Sequence, residues 1–452
     1  MRARNEPIQP GITRLSISQW RQLYLHDRKR WLDELQNRPE RFDRNNWTRA
    51  IRTWRVVDDS PLDPTPSSEG SLTGVPFVVK DLFDLAGEVT GCGSAVLLDA
   101  LSPEPAREDA LLVRRLKDSG AVPLGRAQMN EFAYGLDGKN SYTGDCLHPL
   151  DSARISGGSS SGSAWAVAAG IVPVALGTDT GGSVRVPAAI CGIYGYRPAW
   201  SEAATEGVFP LANSFDTAGW FTAGARDMAI LLRELVLPVE HSPAESADGS
   251  KPGRYWYYLP PEVNLQEELH QGILRWSEDL SAESRGKIEI VPAPDRWTTK
   301  AERIMRESHQ AYNVVGSREA WNVHREWLDR YQEYYQPVVW GLIDRGRHWS
   351  EERVAWARTV VSEMKDLLTE ATREAAGLVI PAVPVPTPGT DEIDSAFREQ
   401  TLRLSTPGSM SGFPVLSVPV HVDAIRSGGV QVIVGPGAEE QLLGLLGSGT
   451  LR

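Results

Sequence analysis

Residues 155–198 read ISGGSSSGSAWAVAAGIVPVALGTDTGGSVRVPAAICGIYGYRP. Two loops of small residues, 157–162 and 177–183, flank a helix expected over 163–170 and a strand expected over 171–176. Glycine lets the backbone approach another group closely and reach positive φ. Such loops present N–H groups that can hold an anion or a developing oxyanion. A flexible linker has the first loop's composition, but a linker is not followed at once by a dense apolar helix and strand.

Outward from this block, VPFVV at 75–79 is a short apolar strand ending on Lys80. Residues 109–119 have helical spacing with Leu111, Leu112 and Leu116 on the apolar face, and 121–124 read as a buried strand. Residues 378–380 and 415–418 read as late strands, after a charged helical stretch at 301–375. Alternating short strands and helices define an α/β fold with a central mixed, largely parallel sheet covered by helices on both faces. Residues 1–70 read as an N-terminal helical extension with Trp20, Trp31, Trp47 and Trp54 among charges, closed by a linker rich in Pro, Ser and Asp. Residues 71–452 then form the main domain, with a surface insertion at about 238–300.

The bulk numbers narrow the partners. A net charge of -12, from 47 Lys+Arg against 59 Asp+Glu, argues against nucleic acid and anionic membranes, which need clustered positive charge. The short basic run Arg28, Lys29 and Arg30 sits in an amphipathic stretch and reads as a solvated helix face. Three cysteines in so long a chain make no disulfide framework, and no His/Cys cluster has zinc-ligand spacing. The beginning of the chain has no apolar leader-like run, and no segment approaches the roughly 20 apolar residues of a membrane span. A cytoplasmic protein without metal or cofactor fits best.

Several motifs compete for the glycine-rich loops. A P-loop needs Lys directly after its last Gly, but Ser163 follows Gly162. The run Gly158 to Gly162 matches G-x-S-x-G with Ser160 as nucleophile, yet such an elbow follows a strand and 150–154 are polar. Asp179-Thr180-Gly181 with Asp216-Thr217-Ala218 mimics a pair of aspartic-protease motifs, though the two lie too close in the chain for two β-lobes. Ser284-Arg285-Gly286-Lys287 spells S-x-x-K in a charged stretch that reads as a loop.

The block resembles the amidase signature, whose hallmark is Gly-Gly-Ser-Ser followed by Gly-Thr-Asp-x-Gly-Gly-Ser-x-Arg, here 157–160 and 177–185. VPFVVKDLFDLAG at 75–87 is similar to the strand bearing the family's lysine, which falls on Lys80. MNEFAYGLDGKNSYTG at 129–144 and SFDTAGWF at 214–221 also look familial, and the likeness runs from about 74 to 232 and resumes at 402–434. The resemblance implies an amidase-signature fold and hydrolysis of a carboxamide to carboxylate and ammonia. It makes Ser183 the nucleophile, Ser159 a bridging serine in a cis peptide, and Lys80 the base. It places the oxyanion on backbone N–H groups of Thr180, Gly181, Gly182 and Ser183, with Ser160, Thr178, Asp179 and Arg185 supporting the loops.

A serine hydroxyl needs a base to become a nucleophile. A lysine can serve if burial lowers its pKa by about three units, and Lys80 at the end of VPFVV is placed for that. Its neighbour Asp81 should point to the opposite face if the strand continues. The texture lies nearest the branch with plant-type indole-3-acetamide hydrolases and bacterial monoamidases, which implies a small primary amide. AWSEAATE at 199–206 departs from the basic segment common in the family. The glutaminase subunit of a tRNA-dependent amidotransferase, a hydrolase of allophanate or biuret, and a catalytically silent anion-binding protein stay open as alternatives. A homodimer is the candidate assembly.

Overall fold

The short apolar runs form strands that are buried along their whole length in the middle of this protein. In the computed structural model, which describes residues 14–55, 70–236 and 253–447, thirteen strands occur. They are β1 Ile51–Trp54, β2 Pro76–Lys80, β3 Val122–Ala127, β4 Leu147–His148, β5 Asp151–Ile155, β6 Val174–Asp179 and β7 Tyr194–Arg197. Beyond these come β8 Thr217–Thr222, β9 Gly253–Tyr257, β10 Ile288–Pro292, β11 Gly377–Pro381, β12 Val415–His421 and β13 Ser427–Ile433. Eleven of them make one sheet in the order β1-β3-β2-β6-β8-β7-β12-β13-β11-β9-β10. Every residue of β2, β6, β8 and β13 is buried, so helices cover both faces at the centre. The edge strands β1 and β10 are partly open, as sheet edges are.

The sheet is mixed as the sequence implies, but its parallel share is smaller than expected. Four adjacent pairs are parallel and six are antiparallel. Parallel pairing survives where a helix crosses over, as between β2 and β3; short returns such as 422–426 between β12 and β13 give antiparallel neighbours.

The expected insertion at 238–300 is corrected in its described part. Residues 253–292 supply β9, the helix Glu267–Glu283 and β10, and both strands extend the main sheet. Their apolar residues are buried: Tyr255 and Trp256 lie within the sheet, Trp256 with its ring 6.0 Å from that of Trp297, and Leu269 packs against Gly428 of β13. The rest, 237–252, lies outside the described residues. The N-terminal stretch likewise enters the sheet through β1, paired with β3. Its helices Ile17–His26 and Arg28–Asn37 are pinned to the main body by Trp31, whose Nε1–H donates to the Gly74 carbonyl at 2.7 Å, and by Arg38, which donates to the Gly170 carbonyl.

Candidate active site

Lys80 closes β2 and is fully buried. Its neighbours across the sheet, β3 and β6, run parallel to it, so the loops after β2 and β6 leave from one end of the sheet. The loop after β6 is the second glycine-rich loop. The first comes back beneath it, leading into the buried helix Ser161–Ala168, which packs against the same strands. Two loops distant in sequence thus meet over the lysine.

The lysine amine lies 2.7 Å from Ser159 Oγ and donates to Thr178 Oγ1 at 2.8 Å. Burial lowers its pKa to about 7, against the charges of Asp179 and Asp216, which raise it. Asp81 does not compete for it: its carboxylate pairs with Arg52 at 2.8 Å and Arg126 at 3.6 Å. The Gly158–Ser159 peptide is cis. The Ser159 carbonyl accepts from Asn130 N–H at 3.2 Å, and Gly158 N–H donates to the Leu136 carbonyl at 2.9 Å, so the segment at 129–144 holds this loop.

Ser160 is a clamp between the loops. Its Oγ donates to the Thr178 carbonyl at 3.2 Å and accepts from Thr178 N–H at 3.3 Å, and its own N–H donates to the Ser183 carbonyl at 3.4 Å. A strand does precede this loop, contrary to the reading of its polar residues, but β5 belongs to a separate two-stranded ribbon with β4. Polar residues suffice there because the ribbon lies at the surface, with Ser152 and Ala153 exposed.

Asp179, Arg185 and Arg197 form a fully buried charge network under Ser183. Arg185 Nη2 and Nε reach the Asp179 carboxylate at 2.7 and 3.0 Å, and Arg197 Nη1 reaches it at 3.2 Å. Burial alone would raise the Asp179 pKa, but the two arginines and the N–H of Val184 hold it well below the usual carboxylate range. Arg185 also donates to the Ser405 carbonyl at 2.7 Å and Ser409 Oγ at 2.7 Å, which ties the loop to the helix Ser395–Ser411. Removing one partner of such a pair leaves an uncompensated buried charge, so Arg185→Ala is expected to lower the unfolding free energy by about 3–5 kcal/mol. A denaturant titration read by circular dichroism checks this.

Among the four N–H groups of 180–183, one has a partner within the loop. Gly182 N–H donates to Asp179 Oδ1 at 3.0 Å. The glycines themselves are required by close packing: a Cβ on Gly181 would lie 2.4 Å from the Tyr312 hydroxyl, and Gly182 has φ +118. Ser405 Oγ donates to the Gly181 carbonyl at 2.6 Å. Thr180 Oγ1 donates to Asp216 Oδ1 at 2.6 Å, while Asp216 Oδ2 accepts from the N–H groups of Leu211 and Ala212 at 2.8 and 2.9 Å. Burial pushes Asp216 up to about 6. The two Asp-Thr motifs therefore meet, but through a threonine hydroxyl and not as a carboxylate dyad.

Sequence reading left Arg197, Asp216, Tyr312 and Ser405 without a supporting role. Arg197 and Asp216 lie inside CGIYGYRP and SFDTAGWF, so the signal was present as buried charge in apolar strings. Tyr312 lies on a helix with no motif and Ser405 at the start of the stretch where the likeness resumes, and the tertiary packing brings both to the loop.

A buried amine thus meets a serine between two glycine-rich loops at one end of an α/β sheet. The model of the family described as Amidase matches residues 47–443. The chain is 33% identical over 414 residues to Amidase 1 of Arabidopsis thaliana, spanning 85% of this chain and 94% of that one. It is 32% identical over 397 residues to the 1-carboxybiuret hydrolase subunit AtzE of Pseudomonas sp. (strain ADP), spanning 82% of each. A solved amidase structure superposes with a TM-score of 0.80 at 29% identity, covering 96% of this chain and 99% of that one. The chain belongs to the amidase family. It is an amidohydrolase, cleaving the C–N bond of a carboxamide.

Proposed function

We propose that Ser183 attacks the amide carbon, with Ser159 and Lys80 as its proton relay. The observation that carries this reading is the fully buried Lys80 amine 2.7 Å from Ser159 Oγ, on a loop bonded through Ser160 to Ser183. With a pKa of about 7, the amine is substantially neutral at physiological pH and has a lone pair for the Ser159 proton. Thr178 Oγ1 accepts one amine hydrogen and so orients that lone pair. Ser159 in turn draws the proton of Ser183 as the tetrahedral intermediate forms. The oxyanion sits on the N–H groups of Thr180, Gly181 and Ser183, with Gly182 held back by Asp179. Ser159 then protonates the departing ammonia, leaving an acyl-enzyme on Ser183 that water hydrolyses by the same relay.

In this reading Ser160, Asp179 and Arg185 shape the loops and do not react, and the substrate is a small primary amide. The proposed division sets an N-terminal extension at 1–70 against an amidase domain at 71–452; the bonds of Trp31 and Arg38, and the pairing of β1 with β3, tie the extension to that body. A cytoplasmic homodimer completes the proposal; the three cysteines are buried and free, as in a reducing compartment. Among the described residues no helix is long and apolar enough to cross a membrane.

A fluorophosphonate probe is expected to label Ser183, mapped by peptide mass spectrometry, and a screen of primary amides, ureas and glutamine is expected to release ammonia. Labelling on Ser160 would replace the reading with a nucleophile elbow.

A further inference from the structure

One side chain of the N-terminal stretch reaches the neighbour of the proposed base. Ile51 of β1 pairs with Ala127 of β3, and Ala127 pairs with Lys80 of β2, so the three stand in one line across the sheet. Thr53 pairs with Arg126, which leaves Arg52 without a partner in β3. An extra residue of this kind is a β-bulge, which re-aims a side chain out of the strand's alternation. Arg52 is aimed at Asp81. Its guanidinium lies 2.8 Å from Asp81 Oδ1 and donates to the Val89 carbonyl at 2.8 Å.

Asp81 is fully buried, and Arg52 is its one close cation among the described residues. Arg126 stands farther off, at 3.6 Å, and its own bonds go to Glu88 Oε2 at 2.8 Å and the Phe83 carbonyl at 2.8 Å. Glu88 is shared with Arg55 at 2.7 Å. The N–H groups of Gly91 and Gly93 reach the Asp81 carboxylate only at 3.4 Å. Burial raises the Asp81 pKa, and the charge of Arg52, ahead of that of Arg126, opposes the rise. The Cys92 thiol shows how near this carboxylate is to the amine. Burial pushes that thiol up; Asp81 and Asp84 raise it further, while Arg126 and Lys80 oppose them, so carboxylate and amine both act on one group. From the other side Asp179 and Asp216 already raise the pKa of the amine. A further buried carboxylate without its cation would add to them and favour the ammonium form.

We infer that Arg52 is a positioning residue for the hydrolysis: by matching the charge of Asp81, it keeps Lys80 from being held as an ammonium ion. The inference rests on the proposed role of Lys80 and gives the N-terminal stretch a part in the chemistry beyond packing.

The test is the pH profile of kcat/KM on a primary amide for the wild type, Arg52→Gln, Arg52→Lys, Asp81→Asn and the double variant Arg52→Gln with Asp81→Asn. Arg52→Gln should move the rising limb to higher pH by about one unit, because the unmatched carboxylate holds the amine charged. Asp81→Asn should move it to lower pH, because Arg52 is then the unmatched charge. The double variant should return the limb to within about 0.3 unit of wild type, and Arg52→Lys, which keeps the charge, should stay as close. A loss of packing alone lowers the plateau and gives no such opposed shifts. A limb that either single variant leaves in place, or that both move the same way, overturns the inference, and so does an Arg52→Gln shift that Asp81→Asn fails to undo. Should Arg52→Gln melt below the assay temperature, Asp81→Asn decides: a shift to lower pH upholds the inference and an unmoved limb overturns it. Lys80→Ala separates the two readings. A limb absent from the wild type, or still present in Lys80→Ala, sinks the lysine base and the part of Arg52 with it, whereas a limb lost in Lys80→Ala and unmoved in Arg52→Gln sinks only the part of Arg52.

Discussion

Ser183→Ala is expected to lower kcat for amide hydrolysis by on the order of 10⁵–10⁶-fold, the loss seen when a serine hydrolase loses its nucleophile and keeps only its binding and oxyanion donors. KM should change little, because the N–H groups of 180–183 are backbone and survive the substitution. Stability should hold as well, since the charges beneath the loop belong to Asp179, Arg185 and Arg197 and are untouched. Ammonia release under saturating substrate, alongside a melting curve, measures both. Ser160→Ala makes the contrast: it breaks the clamp to Thr178 and should perturb stability together with rate. A Ser183→Ala protein that keeps more than about a hundredth of the wild-type rate would move the nucleophile elsewhere.

What was legible in the sequence follows from how local each constraint is. The strand ending on Lys80 and the strand before Asp179 are continuous apolar runs, and β2 and β6 occur within a few residues of where those runs place them. The glycine-rich loops were legible because close approach and positive φ leave few residue choices, as at Gly182 against Ser405. Pairing direction was less legible. Apolar runs look the same in parallel and antiparallel buried strands, so the antiparallel half from β8 to β11 left no mark in the composition. The stretch 253–292 misled because charged helix faces such as Glu267–Glu283 hide how much apolar surface Leu269, Ile273 and Trp276 turn inward. The pairing of Asp81 with Arg52 and Arg126 depends on the loop ends meeting, which no spacing discloses.

Lys80→Ala is expected to lower kcat/KM by about 10⁴-fold, near the upper range for loss of a positioned base. The pH profile shows whether the lysine acts as that base or only as a prop. Burial sets its pKa at about 7, so the competent neutral form is present above that pH and is lost as pH falls through it. Wild-type kcat/KM should therefore rise toward a plateau with a midpoint near 7, and the Lys80→Ala profile should lose that limb. Lys80→Arg, charged at every accessible pH, should be as inactive as the alanine variant despite its hydrogen-bond donors. Asp216 and Asp179 oppose the lowering of the lysine pKa by their charge. Asp216→Asn preserves an acceptor for Thr180 and removes one of those charges, so it should move the midpoint to lower pH. A midpoint that stays fixed in Asp216→Asn, or a limb that persists in Lys80→Ala, would assign the titration to another group and remove Lys80 from the relay.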